Sequence, residues 1–412
     1  MKRLLIIIAL CTIAYFMRPN KEMQASSTTT HTFWKIQSID TMKYSRDVAR
    51  EKLNDPAFDA FIETSIKNIA ATGATHVALG TPYDPEFTPF LERWVKSARK
   101  HKLHVWFRGN MSGWEEWFGY QKIDREQHTK GILTFIELNK NLFEDGDLFT
   151  SCPECENGGP GDPRLNNDVI GHRAFLIYEY TEVKKAFKKI KKNVQSNTYS
   201  MNGDVTKLIM DPETTIKLDG LIVPDHYSKT PEKTLGELKT YAQKSGGKVI
   251  LGEFGIPIPD IHGAYSEDDQ ANWLTSFFTS ALDYPEVIGF NYWTHIGGST
   301  ELWNADGSPR KAVAAITKFY SPEVRRLRID NTFGRHIKRF SISHGKSVKT
   351  FNEKNGVTIF IFIPGNDEVT ITAENYNPIK VNLSLLPKDK TKITLELVIN
   401  DFFSKIRAFF LQ

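Results

Sequence analysis

The 412-residue chain has little cysteine: only Cys11, Cys152 and Cys155. A multi-bridge disulfide framework is excluded, so stability is expected from a hydrophobic core. Charge of one sign is also scarce. A formal net charge of +4 is small for this length and makes no electrostatic case for nucleic acid as a partner. No G-x-G-x-x-G or Walker sequence follows a candidate strand, which argues against dinucleotide or P-loop sites. The 11 histidines show neither HxxxH nor HExxH spacing. The one CxxC, Cys152-Pro153-Glu154-Cys155, offers two ligands where structural zinc uses four. It also ends a strand instead of opening a helix, as a thioredoxin-like redox pair would. No metal and no cofactor is expected.

What is present is globular. With 40% hydrophobic and 25% charged residues, the chain can bury one large barrel and a smaller module. Lys2 and Arg3 precede the apolar run Leu4–Met17, which is short for a membrane span, and residues 20–31 are polar and Ser/Thr-rich. Residues 1–31 read as a signal peptide or an uncleaved membrane anchor plus linker. A secreted or otherwise extracytoplasmic protein is expected, tethered to the membrane if the segment is retained.

From residue 32 to 324 short apolar runs alternate with amphipathic stretches, the pattern of βαβ units around a parallel sheet. Eight strands are expected: Phe33–Ile39, His76–Leu79, Leu103–Phe107, Asp147–Cys152, a weak one near Val194–Ser200, Gly220–Val223, Lys248–Leu251 and Val287–Asn291. Helices are expected over Asp59–Ala71, Phe87–Lys100, Glu126–Leu142, Arg173–Asn193, Thr234–Lys244 and Asp268–Leu282, with Ser266 capping the last. Eight such units in this length fit a (β/α)₈ TIM barrel. Residues 325–412 read as a small antiparallel β domain, sandwich-like. Its five strands are Lys346–Phe351, Val357–Ile363, Glu368–Ala373, Ile379–Leu383 and Lys392–Ile399. Phe402–Leu411 is apolar and fits either class.

In a barrel, chemistry sits where strands end. At those ends lie Asp40, Arg108 with Asn110, Glu154 and Glu156 with Asn157, His226 with Tyr227, Glu253, and Trp293. Glu253 follows a β-rich run and is flanked by Gly252 and Gly255, which free space around a side chain that must meet a ligand. Carboxylates on strands four and seven face each other across a barrel mouth. A charged and a protonated carboxyl about 5 Å apart is the pairing that retaining glycoside hydrolysis needs. Trp106, Trp114, Trp117 and Trp303 are each candidates for sugar stacking or for core packing.

Residues 33–320 resemble the clan A glycoside hydrolases, (β/α)₈ barrels with catalytic glutamates after strands four and seven. Ile250–Gly255 matches the strand-seven nucleophile pattern of that clan, His226-Tyr227 its strand-six position, and Trp293 its strand-eight tryptophan. The resemblance implies a retaining enzyme acting on a poly- or oligosaccharide, with Glu253 as nucleophile. It departs at strand four, where the clan carries Asn-Glu and this chain carries Pro153-Glu154-Cys155-Glu156-Asn157. Glu154 is favoured as acid/base and Glu156 is the alternative, since residues two apart share one side of an extended strand. The missing asparagine leaves the usual contact to the sugar 2-hydroxyl to Asn157 or Asn110. The rival reading is a non-catalytic carbohydrate-binding barrel.

Overall fold

Eight short apolar runs become eight parallel strands: β1 Ile36–Asp40, β2 His76–Leu79, β3 His104–Phe107, β4 Leu148–Phe149, β5 Ser200–Asn202, β6 Leu221–Asp225, β7 Lys248–Phe254 and β8 Val287–Tyr292. They pair in the order β4-β3-β2-β1-β8-β7-β6-β5. A parallel bridge between Leu148 and Gln195 joins the two ends of that order and closes the barrel. The computed structural model describes residues 32–345, 347–353, 356–363, 365, 367–387 and 391–396. The expected signal or anchor, and the apolar segment Phe402–Leu411, lie outside the described residues. Among the described residues no helix is long and apolar enough to cross a membrane.

Alternation of side chains along each strand builds two cores. Inward-facing Ile36, Ala78, Trp106, Leu148, Val223 and Ile250 fill the barrel, with Trp106 donating its indole N–H to Thr150 Oγ1 at 2.8 Å. Outward-facing Ile39, Val77, Phe107, Val249 and Phe290 pack under the helices. Helices Asp59–Ala71, Thr88–Lys100, Arg125–Leu138, Val169–Lys189, Pro231–Ser245 and Glu267–Ala281 follow the expected ones within a few residues. Ser266 caps the last in a reciprocal box with Asp269.

The fifth strand differs from expectation. Only Gln195 of the 194–200 run pairs with β4, and the strand proper begins at Ser200. Thr198 and Asn197 instead bond through their side chains, Thr198 Oγ1 to the Phe149 carbonyl at 3.0 Å and Asn197 Nδ2 to the Leu218 carbonyl at 2.8 Å. Short polar side chains here replace part of the backbone ladder.

The C-terminal module has seven described strands: β9 Glu323–Asn331, β10 Arg339–His344, β11 Ser347–Asn352, β12 Thr358–Phe362, β13 Glu368–Thr372, β14 Ile379–Asn382 and β15 Thr391–Leu395. They form the sheets β11-β10-β13-β14 and β12-β9-β15 around Leu327, Ile329, Phe340, Ile342, Val369 and Ile371. Two strands go beyond the expected five, β9 crosses the 324/325 boundary, and β15 pairs with β9 in parallel, so the module is not wholly antiparallel. Glu323-Val324-Arg325-Arg326 hides β9, because its arginines mask the alternation. Arg325 is nevertheless buried, with Nε donating to the Leu383 carbonyl at 2.9 Å.

Candidate active site

The inward side of the strands ends in a ring of polar residues. Asp40 lies four residues beyond Ile36, Arg108 two beyond Trp106, and Asp225 two beyond Val223, so strand parity turns all three into the mouth. Strict alternation from Ile250 would turn Glu253 outward. A register shift between Leu251 and Phe254 against β8, matched by one between Ile222 and Asp225 against β7, adds a residue to β7. Leu251 and Phe254 both remain in the outer core while Glu253 is re-aimed inward, which is what a bulge achieves. Gly252 permits the bulge, because a Cβ there would lie 2.5 Å from Asp225 Oδ1. Gly255 is needed for close approach, since its Cβ would lie 2.1 Å from the Trp293 carbonyl oxygen.

Arg108 organises the mouth. One guanidinium nitrogen donates to Asp40 Oδ2 at 2.9 Å and to Glu253 Oε2 at 3.1 Å; the other donates to Asp225 Oδ2 at 2.9 Å and Ser200 Oγ at 3.1 Å. Burial alone would lower the pKa of Arg108, but the charges of Asp225, Glu253 and Asp40 outweigh it and hold the guanidinium protonated. Tyr227 donates its hydroxyl to Glu253 Oε1 at 2.7 Å, and burial followed by the Glu253 charge raises the phenol pKa so that it keeps its proton. Both Glu253 oxygens therefore accept from groups that stay protonated. Asn291 Nδ2 donates to Asp40 Oδ2 at 3.0 Å. Asp40 also accepts from the Met42 N–H and is fully buried, so it secures Arg108 and is not exposed to a substrate.

Replacing Arg108 by Met is expected to cost about 3–5 kcal/mol of folding stability, because three carboxylates would lose their shared cation in the interior. Urea denaturation would read it, and a loss below about 1 kcal/mol would mean that the acids neutralise themselves by protonation.

The strand-four glutamates have different surroundings. Glu154 takes a left-handed conformation, φ 46°, and its N–H donates to the Ser200 carbonyl at 2.8 Å. Asn157 Nδ2 donates to Glu154 Oε2 at 3.1 Å. Burial, then the charges of Glu253 and Glu156, push the Glu154 carboxyl up to about 7, against the pull of Arg108 and Arg46. Glu156 is 2% exposed, and its Oε1 is tied to the Asn202 N–H at 2.7 Å and Nδ2 at 3.0 Å. Around Glu154 the chain closes on itself through a Cys152–Cys155 disulfide, a bridge that the cysteine count did not foretell. Trp114 fastens the same turn from β3's loop, its indole N–H donating to the Cys155 carbonyl at 3.2 Å.

Several expected contributors do not join the cluster. His226 lies between inward Asp225 and Tyr227, so parity turns it outward, where Nε2 meets Glu237 Oε2 at 2.6 Å. Asn110 Oδ1 is spent on the Met111 N–H at 2.8 Å and on His128 Nε2 at 2.7 Å. Trp106, Trp114 and Trp303 are buried packing residues. Trp293 and Trp117 stay half-buried, with Lys43 Nζ 5.5 Å from the first ring and the Arg46 guanidinium 4.6 Å from the second. Sequence reasoning missed Asn291 and Ser200; the strand parity that places Asp40 and Arg108 was the available signal for the first.

No protein-family model matches the chain, and no curated protein matches it in sequence. Among solved structures it is similar to a GH5_18 protein of Bifidobacterium longum subsp. longum, solved with Manβ1-4GlcNAc. The TM-score is 0.52 at 12% identity, over 73% of this chain and 84% of that one. The likeness is one of fold, a (β/α)₈ barrel. β-Glucuronidases of Bacteroides uniformis (TM-score 0.49, 11% identity, 89% of this chain) and Dictyoglomus thermophilum (0.48, 13%, 71%) are also similar. The chain spans 46% and 51% of their respective lengths.

Proposed function

We propose that the chain is a retaining glycoside hydrolase that cleaves O-glycosidic bonds of a poly- or oligosaccharide by double displacement. The observation that carries this reading is the division of labour between two carboxyls. Glu253 accepts hydrogen bonds from Arg108 and Tyr227, whereas Glu154 is held up to about 7 by burial and by the charge of Glu253. Glu253 attacks the anomeric carbon as Glu154 gives its proton to the departing glycosidic oxygen. Glu154 then takes a proton from water, and that water cleaves the glycosyl–Glu253 ester and returns Glu253 to its charged form. Glu156 is the less suited acid, because its side chain is 2% exposed and one oxygen accepts two hydrogen bonds from Asn202, which oppose its protonation, whereas Glu154 accepts one from Asn157. The Cys152–Cys155 disulfide supports an extracytoplasmic location, where such bonds persist.

Turnover on a panel of aryl glycosides and β-linked polysaccharides, followed by NMR of the first-formed anomer, tests the reading. Retained configuration is expected. An inverted product would overturn the two-step route, and binding without turnover would favour a carbohydrate-binding barrel.

A further inference from the structure

A groove of about 650 Å³ lies between two helices on the outside of the barrel, Arg125–Leu138 and Val169–Lys189. These helices follow β3 and β4, so they begin on the side of the barrel that bears the mouth. Arg125 and Gly171, in their first turns, line the groove, and its lining contains no residue of the catalytic pair. Ile170, Ala174 and Tyr178 fall four apart on the second helix, so their side chains share one face. That face is turned away from the barrel: Ile170 is 83% and Tyr178 58% exposed. Ala174, Tyr178 and the half-buried Leu133 of the first helix give the groove apolar walls. An uncovered apolar stripe beside a cavity marks a contact surface.

Phe175, buried, also lines the groove and stacks on Trp114, with ring centroids 5.4 Å apart and planes 12° from parallel. Trp114 is itself held by the Cys155 carbonyl, so the groove is braced before any ligand arrives. The walls carry free hydrogen-bonding groups but no net charge. Arg125 is paired with Asp168 at 2.8 Å and Glu137 with Lys189 at 2.6 Å. Glu126 and Lys130 cancel in sign, and among the described residues neither side chain has a bonded partner, nor does the Tyr178 hydroxyl. Donors and acceptors beside an exposed aromatic ring suit a ligand with apolar faces and many hydroxyls. A sugar ring is such a ligand: the C–H bonds of its face pack on an aromatic ring, and its hydroxyls both donate and accept. An acyl chain would leave the amine and the carboxylate bare, and a charged chain meets no opposite net charge.

We propose that this groove is a second, non-catalytic saccharide site, which holds an uncharged stretch of the polysaccharide that the mouth cleaves. The identity of the ligand rests on the glycosidase reading.

The test is isothermal titration calorimetry of the full chain carrying Glu253→Gln, so that the ligand is not consumed, with cellohexaose, xylohexaose and mannohexaose. At least one of these neutral chains should bind. Adding Tyr178→Ala, which removes the exposed ring, should weaken one binding step about tenfold and leave any step at the mouth as it was. Ala174→Arg, which sets a long side chain in the groove, should do the same; both positions are exposed, so the fold is kept. Raised salt should leave the affinity unchanged, because the ligand has no charge to screen. In a chain with Glu253 intact, the two substitutions should spare turnover of a short aryl glycoside and raise KM on the long chain. Binding of none of the three, or affinities that ignore both substitutions, would overturn the proposal. So would self-association of the chain that Ala174→Arg abolishes, since the groove would then be a protein contact. The glycosidase reading fails separately, by absence of turnover while binding that depends on Tyr178 persists.

Discussion

Glu253→Gln is expected to lower kcat/KM on an aryl glycoside by about 10⁴-fold or more, while the protein still melts close to the wild type. The amide is nearly isosteric and its oxygen can still accept from Tyr227, so the mouth keeps its shape. It has no charge to share with Arg108, yet that guanidinium retains Asp40 and Asp225. What disappears is a nucleophile able to form a glycosyl ester. Loss of turnover with an unchanged melting temperature would place Glu253 on the reacting carbon. Wild-type turnover in this variant would remove it from that role, and a collapsed fold would mark it instead as a structural partner of Arg108.

The legibility of this site follows the physics of strand periodicity. Asp40, Arg108 and Tyr227 stand at strand ends with the right parity, and each reaches the mouth. His226 was read as a neighbour of Tyr227 in sequence, but adjacent residues on a strand face opposite sides. Glu253 was placed correctly at the end of β7, although the reason is a bulge that period-two reasoning cannot show; Gly252 is its only trace in the sequence. The weak strand near 194–200 dissolves because threonine and asparagine side chains supply the hydrogen bonds. Strand β9 is hard to read because arginines interrupt its apolar alternation, whereas Arg325 is buried and bonds a main-chain carbonyl.

The choice between the two strand-four glutamates has its own expected result. A general acid must be protonated in the free enzyme, and Glu154 holds its proton up to about 7. The wild-type kcat/KM should therefore fall as pH rises through about 7, and this alkaline limb should vanish in Glu154→Gln. On a substrate with a good leaving group the second step is the slower one without a base, so azide should restore turnover to Glu154→Ala by attacking the glycosyl ester directly. Glu156→Ala behaves differently: it frees the Asn202 N–H and amide, and azide has no missing base to replace. A loss on the order of 10²–10⁴-fold is expected for Glu154→Ala, the range of general acid–base assistance. If azide rescues Glu156→Ala and not Glu154→Ala, the assignment reverses. The raised Glu154 carboxyl would then reflect only its burial beside Glu253, and the left-handed turn closed by Cys152 and Cys155 would serve to hold Glu156 in place.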